Sequence, residues 1–394
     1  DKIMPDNPYI HPMWTGSDCV LQNIMERINM KNFVRSQPVL VISFLAAVLT
    51  VFIIPPDKEY IGYINKTVLI ELFSLMTAVG GLRSVGIFDN ATSFLLKKAG
   101  TLRRLGLIFV LLCYFSAMLV TNDVALLTFV PLTLLVYSGI KDEKSRIITI
   151  VLETSAANAG SMLTPIGNPQ NLFVYDTYKM TALSFLKAML PAGIISLAAI
   201  CLLTLLIPDT PCDSGSAKNR DIPKAPTAGY CVLFVICLLT VLRIIPDVAC
   251  FAAAVVIALI FDRKLLAKVD YALLATFVCF FVFVGNIGRI DAVRDFFSSI
   301  LSGRELLVTA LLSQVISNVP AAVMLSGFTE NGTQLLLGAD LGGFGTLIAS
   351  LASLISFQIY RKAEGAQSGR YILIFSLINF GMLIPLLILH MTIL

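Results

Sequence analysis

Two polar interruptions, Thr121-Asn122-Asp123 and Thr164-Pro165-Ile166-Gly167-Asn168-Pro169-Gln170-Asn171, stand inside otherwise apolar sequence, and their reading decides the fold. The runs around them approach the roughly 20 apolar residues that cross a bilayer as a helix. A lipid-embedded backbone group without a partner costs about several kcal/mol, so such breaks persist only where they are buried in protein or line a cavity. A carboxylate at that depth marks a functional site by default. The question for the rest of the chain is whether 121–171 is a transport site, and of what kind.

Composition sets the class. The 394 residues are 57% hydrophobic and 14% charged, whereas soluble domains run nearer half apolar and a quarter charged. The chain reads as an all-α polytopic membrane protein whose surroundings are lipid. The net charge of +4 says less than where the cations fall, and nothing points to a nucleic-acid partner. Cys113, Cys201, Cys231, Cys237, Cys250 and Cys279 sit inside apolar runs without C-x-x-C spacing, as small core residues rather than a disulfide framework or metal site. His11 and His390 lie near opposite ends and no H-E-x-x-H occurs, which excludes a zinc protease. No catalytic residue and no cofactor is indicated, and no signal-peptide pattern opens the chain.

Residues 1–36 read as a Pro-containing tail followed by a segment, 17–35, whose Leu21, Ile24, Met25 and Ile28 recur at helical spacing. That segment is either an amphipathic helix on the membrane surface or an N-terminal helix packed on the protein. A first unit, 37–207, gives spans near 38–54, 67–82, 105–120 with 124–138, 146–163 with 172–178, and 185–207. The stretch 208–228, with four prolines and three cations, is a polar linker. The second unit, 229–394, gives spans near 229–245, 247–261, 270–287, 304–316 with 320–328, 335–347 with 351–360, and 371–392.

The two units repeat each other in order. Leu49-Thr50-Val51-Phe52-Ile53-Ile54-Pro55 returns as Leu239-Thr240-Val241-Leu242-Arg243-Ile244-Ile245-Pro246, with one residue added. Gly86-Ile87-Phe88-Asp89 returns as Gly288-Arg289-Ile290-Asp291, each opening a short amphipathic segment, 87–98 and 290–301. Thr121-Asn122-Asp123 returns as Ser317-Asn318-Val319, and Gly160 to Leu172 aligns without a gap on Gly342 to Leu354, 182 residues later. With the N-terminus cytoplasmic and 105–138 a hairpin that enters and leaves on one side, roughly 20 of the 29 Lys and Arg fall on inner segments. Treating either hairpin as a single crossing spoils that asymmetry, so hairpins 105–138 and 304–328 both read as re-entrant. The span 247–261 has no partner in the first unit, and one extra crossing inverts everything after it. The expected architecture is an inverted-topology repeat with two re-entrant hairpins and two broken helices, 146–178 and 335–360. Secondary transporters of that kind place their sites near the midplane, at the repeat interface.

Each hairpin tip brings an Asn and a hydroxyl to membrane depth: Thr121 with Asn122, and Ser317 with Asn318. Each following helix is interrupted, by Asn158, Gly160, Thr164, Pro165, Gly167, Asn168, Pro169 and Asn171 in one unit, and by Asp340, Gly342, Gly343, Gly345, Thr346, Ser350 and Ser353 in the other. A broken helix offers carbonyls to Na⁺ at one end and amide N–H groups to an anion at the other. Asp123 either ligates Na⁺ or carries a proton. Glu153 is either a second titrating group or the ion-pair partner of Arg146.

The motif Thr-Asn-Asp-Val-Ala-Leu (121–126) with Val130-Pro131-Leu132, the run from Asn158 to Asn171, and Ser313-Gln314-Val315-Ile316-Ser317-Asn318-Val319-Pro320 with Gly342-Gly343-Phe344-Gly345 together resemble the ion transporter superfamily. That superfamily includes citrate-transporter-like proteins, divalent anion/sodium symporters, arsenite permeases and certain Na⁺/H⁺ antiporters, and the likeness is greatest to its bacterial inner-membrane anion-permease branch. The resemblance, over about 38–392, implies a scaffold domain, often dimeric, and a mobile domain of hairpins and broken helices moving as an elevator. It implies a first cation site at Asn122 and the Gly167 backbone, which Asp123 joins if it binds Na⁺. It implies a second at Asn318 and the backbone of Ala349 and Ser350, with an anion between the tips. The dicarboxylate symporters carry Ser-Asn-Thr at both tips. Here the first tip ends in Asp123, as in the arsenite and antiporter branches, and the second in Val319, which raises proton coupling beside Na⁺.

The expected function is therefore secondary active transport of a small di- or tricarboxylate or inorganic oxyanion, coupled to Na⁺ or H⁺, in the cytoplasmic membrane. The rivals are a Na⁺/H⁺ antiporter and an arsenite-type efflux permease. An intramembrane aspartyl protease is disfavoured because its G-x-G-D pattern is absent, and a channel because it cannot accumulate solute.

Overall fold

The computed structural model describes residues 37–87, 100–137, 142–211 and 221–393. The segments 17–35 and 88–98, read as amphipathic, lie outside the described residues. In chain order the helices are α1 (Pro38–Ile53), α2 (Tyr60–Tyr63), α3 (Lys66–Ser84), α4 (Leu102–Val120), α5 (Asn122–Tyr137), α6 (Glu143–Ser161), α7 (Pro169–Thr177), α8 (Ala182–Leu203) and α9 (Lys224–Val241). They continue with α10 (Asp247–Phe261), α11 (Lys264–Lys268), α12 (Tyr271–Gly288), α13 (Asp291–Leu301), α14 (Glu305–Ile316), α15 (Asn318–Ser326), α16 (Gly332–Leu341), α17 (Leu351–Tyr360) and α18 (Ser368–Ile393). The protein is an all-α polytopic membrane protein, with no strand among the described residues. Helix α9 opens at Lys224, inside the stretch read as linker.

Local chemistry starts these helices where the polar punctuation stands. Asn65, Asp142, Asp270 and Asn331 each accept a backbone N–H from the first turn of α3, α6, α12 and α16. Thr181 and Ser184 close a reciprocal capping box at α8.

The outside is apolar. Leu49 and Phe52 on α1, Ile194 and Leu202 on α8, and Leu373 and Leu377 on α18 are all exposed, as lipid-facing positions require. The inside is polar by comparison. Every residue of α6 from Ser145 to Ser161 is buried, including Thr149, Glu153, Thr154, Ser155 and Asn158. Helices α4, α5, α8, α17 and α18 surround it. Protein supplies the shell that lipid cannot, so a helix too polar to face the bilayer forms the axle of this body.

Packing separates two groups of helices. Helices α4–α8 and α14–α18 pack around α6 and α16, whereas α3 packs with α9, α10 and α11, and α1 lies along α12. Gly160 lets α4 reach α6: a Cβ there would stand 2.0 Å from the Tyr114 carbonyl oxygen. The connection after α1 is tied to the end of α12 by Arg289, whose guanidinium bonds Asp57 at 2.7 Å and holds that carboxyl below its ordinary range.

The hairpins are α4 with α5 and α14 with α15. At 12 and 9 residues, α14 and α15 reach only about 18 and 14 Å, too short for a bilayer core of about 30 Å. Helix α4, at 19 residues, is long enough alone. What marks the first hairpin is instead the packing of α5 back along α4 and the seat of its tip inside the α6–α7 break.

Candidate functional site

The two tips share one unusual backbone conformation. Thr121 has φ 74° and ψ 152°, and Ser317 has φ 77° and ψ 155°. Only glycine adopts this region without strain, and a side chain there costs roughly 1–3 kcal/mol. At each tip the following Asn turns its Oδ1 back to the next backbone N–H, Asn122 to Asp123 and Asn318 to Val319, both at 2.9 Å. Thr121→Gly is expected to relieve the strain and stabilise the protein by about 1 kcal/mol, net of glycine's greater chain entropy. It is also expected to slow uptake by removing a cavity-lining hydroxyl. Thermal denaturation in detergent checks the first part, and a lower melting temperature contradicts it.

The two breaks are built alike. Helices α6 and α16 end at Ser161 and Leu341, and α7 and α17 resume at Pro169 and Leu351 after extended N-cap residues, Asn168 and Ser350. Thr164 Oγ1 donates to the Met118 carbonyl at 2.5 Å and Thr346 Oγ1 to the Gln314 carbonyl at 2.9 Å. Both acceptors lie three residues before their own tip. The tips then reach equivalent carbonyls. The Asn122 N–H donates to Gly167 O at 3.3 Å, and Ser317 Oγ donates to Ala349 O at 3.4 Å. A Cβ at Gly167 would lie 2.0 Å from the Ser161 carbonyl oxygen, and one at Gly342 would lie 2.6 Å from that of Gly338. Pro165 completes the first break half-buried, without side-chain polarity to contribute.

Asn158 joins the halves. Its Oδ1 accepts from Asn122 Nδ2 at 3.0 Å and from Ser350 Oγ at 3.1 Å, and its Nδ2 donates to Gly343 O and Ser353 Oγ, both at 3.3 Å. Its repeat counterpart, Asp340, accepts Gln170 Nε2 at 2.9 Å. Asn168 and Asn171 are anchored to the end of α6: Asn168 Nδ2 donates to Ser161 Oγ at 2.8 Å, and Asn171 Nδ2 to the carbonyls of Ser161 and Thr164 at 3.1 Å.

A cavity of about 660 Å³ opens between this assembly and α3. Thr121 and Asp123 line it from the first tip, Asn168 and Pro169 from the start of α7, and Leu351 from the start of α17. Arg83, Lys268 and Asp270 line it from the facing helices. Ser317 and Asn318 are buried elsewhere. The Asp123 carboxylate makes no hydrogen bond or ion pair with any described residue, and Asp270 is the charged neighbour acting on it. Two half-helix N-termini thus meet a cavity whose walls also carry a carboxylate without a partner among the described residues.

All of the expected residues are found in or beside the tips and breaks. Two contributors stood outside the expected set. Gln314 clamps the second break, donating to the carbonyls of Gly342 and Phe344 and accepting from the Thr346 N–H. Gln170 binds Asp340, while Ser353, expected at the second break, binds Asn158. A glutamine inside an apolar run was the available signal for Gln314. Glu153 is not the ion-pair partner of Arg146. Its Oε1 accepts from Thr133 Oγ1, while Arg146 pairs with Glu143.

Residues 24–336 match the family described as citrate transporter. An uncharacterized transporter of Methanocaldococcus jannaschii is 34% identical over 336 residues, spanning 83% of this chain and 90% of that protein. The inner membrane protein YbiR of Escherichia coli is 31% identical over 320 residues, spanning 79% and 84%. The crystal structure of the YdaH transporter of Alcanivorax borkumensis covers 85% of this chain and 87% of its own, with a TM-score of 0.55 at 13% identity. That last likeness is one of fold.

Proposed function

The chain belongs to the citrate transporter family, and on that premise we propose that it is a secondary active transporter carrying a small di- or tricarboxylate or inorganic oxyanion, coupled to Na⁺ or H⁺. It is a multi-pass membrane protein of a transporter family, and the Methanocaldococcus jannaschii relative is named a transporter. The observation that carries the anion reading is the meeting of two half-helix N-termini, at Pro169 and Leu351, in one cavity of about 660 Å³. Amides and the positive end of the helix dipole favour an anion there, and Arg83 and Lys268 add positive charge on the opposite wall.

Transport proceeds by alternating access in this reading. The hairpins and broken helices, packed around α6 and α16, slide as a body against α3, α9 and α10, and a second copy binds through the α1–α3 and α9–α12 side. In this reading the present state is open to the cytoplasm, in the inner membrane, with the N-terminus cytoplasmic, which the inner-segment cations Arg83 and Lys268 at the cavity support.

Asp123 favours one rival. A carboxylate without a partner among the described residues, on the same cavity as Asp270, suits a Na⁺/H⁺ antiporter or an oxyanion efflux permease. Proteoliposomes separate the readings through uptake of radiolabelled citrate, succinate and arsenite under imposed Na⁺ or pH gradients. Gradient-dependent uptake of one of them is expected. If all three fail while Na⁺ exchanges for H⁺, the anion reading is wrong.

A further inference from the structure

One residue of the repeat has no counterpart. The stretch from Leu49 to Pro55 returns as Leu239 to Pro246 with Arg243 added between Leu242 and Ile244. The insertion falls just after α9, at the turn into α10.

The added residue changes how its helix ends. Helix α1 stops at Ile54 in extended backbone, with φ −119°. Helix α9 instead closes with the two bonds of a left-handed C-terminal cap: the Arg243 N–H donates to Thr240 O at 2.7 Å and the Ile244 N–H to Leu239 O at 2.8 Å. The residue at the centre of such a cap takes left-handed backbone and is usually glycine, which adopts it without steric cost. Here it is Arg243, at φ 61°. Strain kept where glycine would relieve it points to a use for the side chain.

That side chain crosses from one group of helices to the other. Its Nη1 donates to the Met180 carbonyl and its Nη2 to the Tyr175 carbonyl, both at 3.1 Å. The guanidinium also lies over the Tyr175 ring, 4.9 Å from the centroid. Both carbonyls stand at the C-terminal end of α7, where the helix dipole favours a cation. The Asp176 carboxylate nearby is held by Asn65 and Lys179, and the guanidinium goes to backbone. Helices α9 and α10 pack on α3, which anchors Arg243 in the scaffold, whereas α7 packs on α15 and α16 inside the hairpin body.

We propose that Arg243 is a latch that holds the hairpin body in its present position against the scaffold. A body that slides along α3 carries Tyr175 and Met180 away from Arg243, so each stroke breaks both bonds and the ring contact. The latch rests on the moving-body reading of transport and adds to it what sets the resting position. Arg243→Gly separates the two roles of the residue, because glycine keeps the helix cap and removes the latch.

Double electron–electron resonance on the purified full chain, in detergent and without any solute, tests the latch. In a background with the native cysteines replaced, spin labels are placed at Lys58→Cys on the scaffold and Ala182→Cys on the body, both exposed positions. The parent is expected to show one dominant distance. Arg243→Gly is expected to keep or raise the melting temperature, since the strain is relieved. It is also expected to shift the ratio of positions at least about tenfold toward a second distance, the scale set by losing bonds to a charged group. Should Arg243→Gly fail to fold, Arg243→Asn takes its place: asparagine tolerates left-handed backbone and is too short to span to the carbonyls. The parent's distances in the folded variant would overturn the latch, as would a parent already split evenly between two distances. If the latch alone fails, bridging α3 to α7 with Hg²⁺ still stops uptake. If the moving body fails with it, uptake continues with the two helices bridged.

Discussion

Asn158→Ala is expected to reduce transport below about one-hundredth of wild type, the scale of loss that follows when a site is misplaced by an ångström. Asn158 touches the first tip, the second break and the N-cap of α17 together. Alanine leaves Asn122 Nδ2, Ser350 Oγ and the Gly343 carbonyl without it in a buried setting. Each unsatisfied group costs about 1–3 kcal/mol in water-soluble proteins and less in membranes, where the reference state also finds partners. A stability loss of roughly 2–4 kcal/mol follows. Thermal denaturation and proteoliposome uptake measure the two effects. Wild-type flux in Asn158→Ala would remove the inter-repeat link from the mechanism.

Asp123→Asn separates mechanism from stability in the opposite way. The carboxylate makes no bond that the amide loses, so stability is expected to stay within about 0.5 kcal/mol of wild type. Transport is nevertheless expected to vanish, because the change removes the one ionisable group of the first tip from the cavity. If Asp123 holds Na⁺, the variant loses Na⁺ dependence. If it carries the proton, residual flux becomes independent of pH. Full flux with unchanged coupling would exclude Asp123 from the transport cycle.

Much of this was legible because the bilayer penalises polarity. Asn122, Asn318, Pro165 and Gly167 stand out in apolar sequence, and the 182-residue offset pairs the breaks before any coordinates. The matching φ values of Thr121 and Ser317 and the paired bonds from Thr164 and Thr346 express the same repeat in three dimensions. Side-chain partnership was harder to read. Glu153 had Arg146 two helical turns away, and it is Thr133, on the neighbouring helix, that it meets. Asp340 had no sequence neighbour to suggest a partner, since its partners come from the other unit. The contrast between Asp123 and Val319 pointed to coupling chemistry in the first half. The Gln170–Asp340 bond lies instead at the interface between the halves, which the packing of α16 on α7 brings together.

Movement of the hairpin body against the scaffold is open to direct test at its outer end. Asn65, the N-cap of α3, donates to Asp176 of α7 at 2.8 Å, a bond that spans the two groups of helices. In a background with the native cysteines replaced, Asn65→Cys with Asp176→Cys can be bridged by Hg²⁺ and released with excess dithiol while uptake into proteoliposomes is followed. Uptake is expected to stop on bridging and to return on release, because α7 can no longer travel along α3. Uptake that continues at the unbridged rate with the two positions joined would contradict transport by movement of this body.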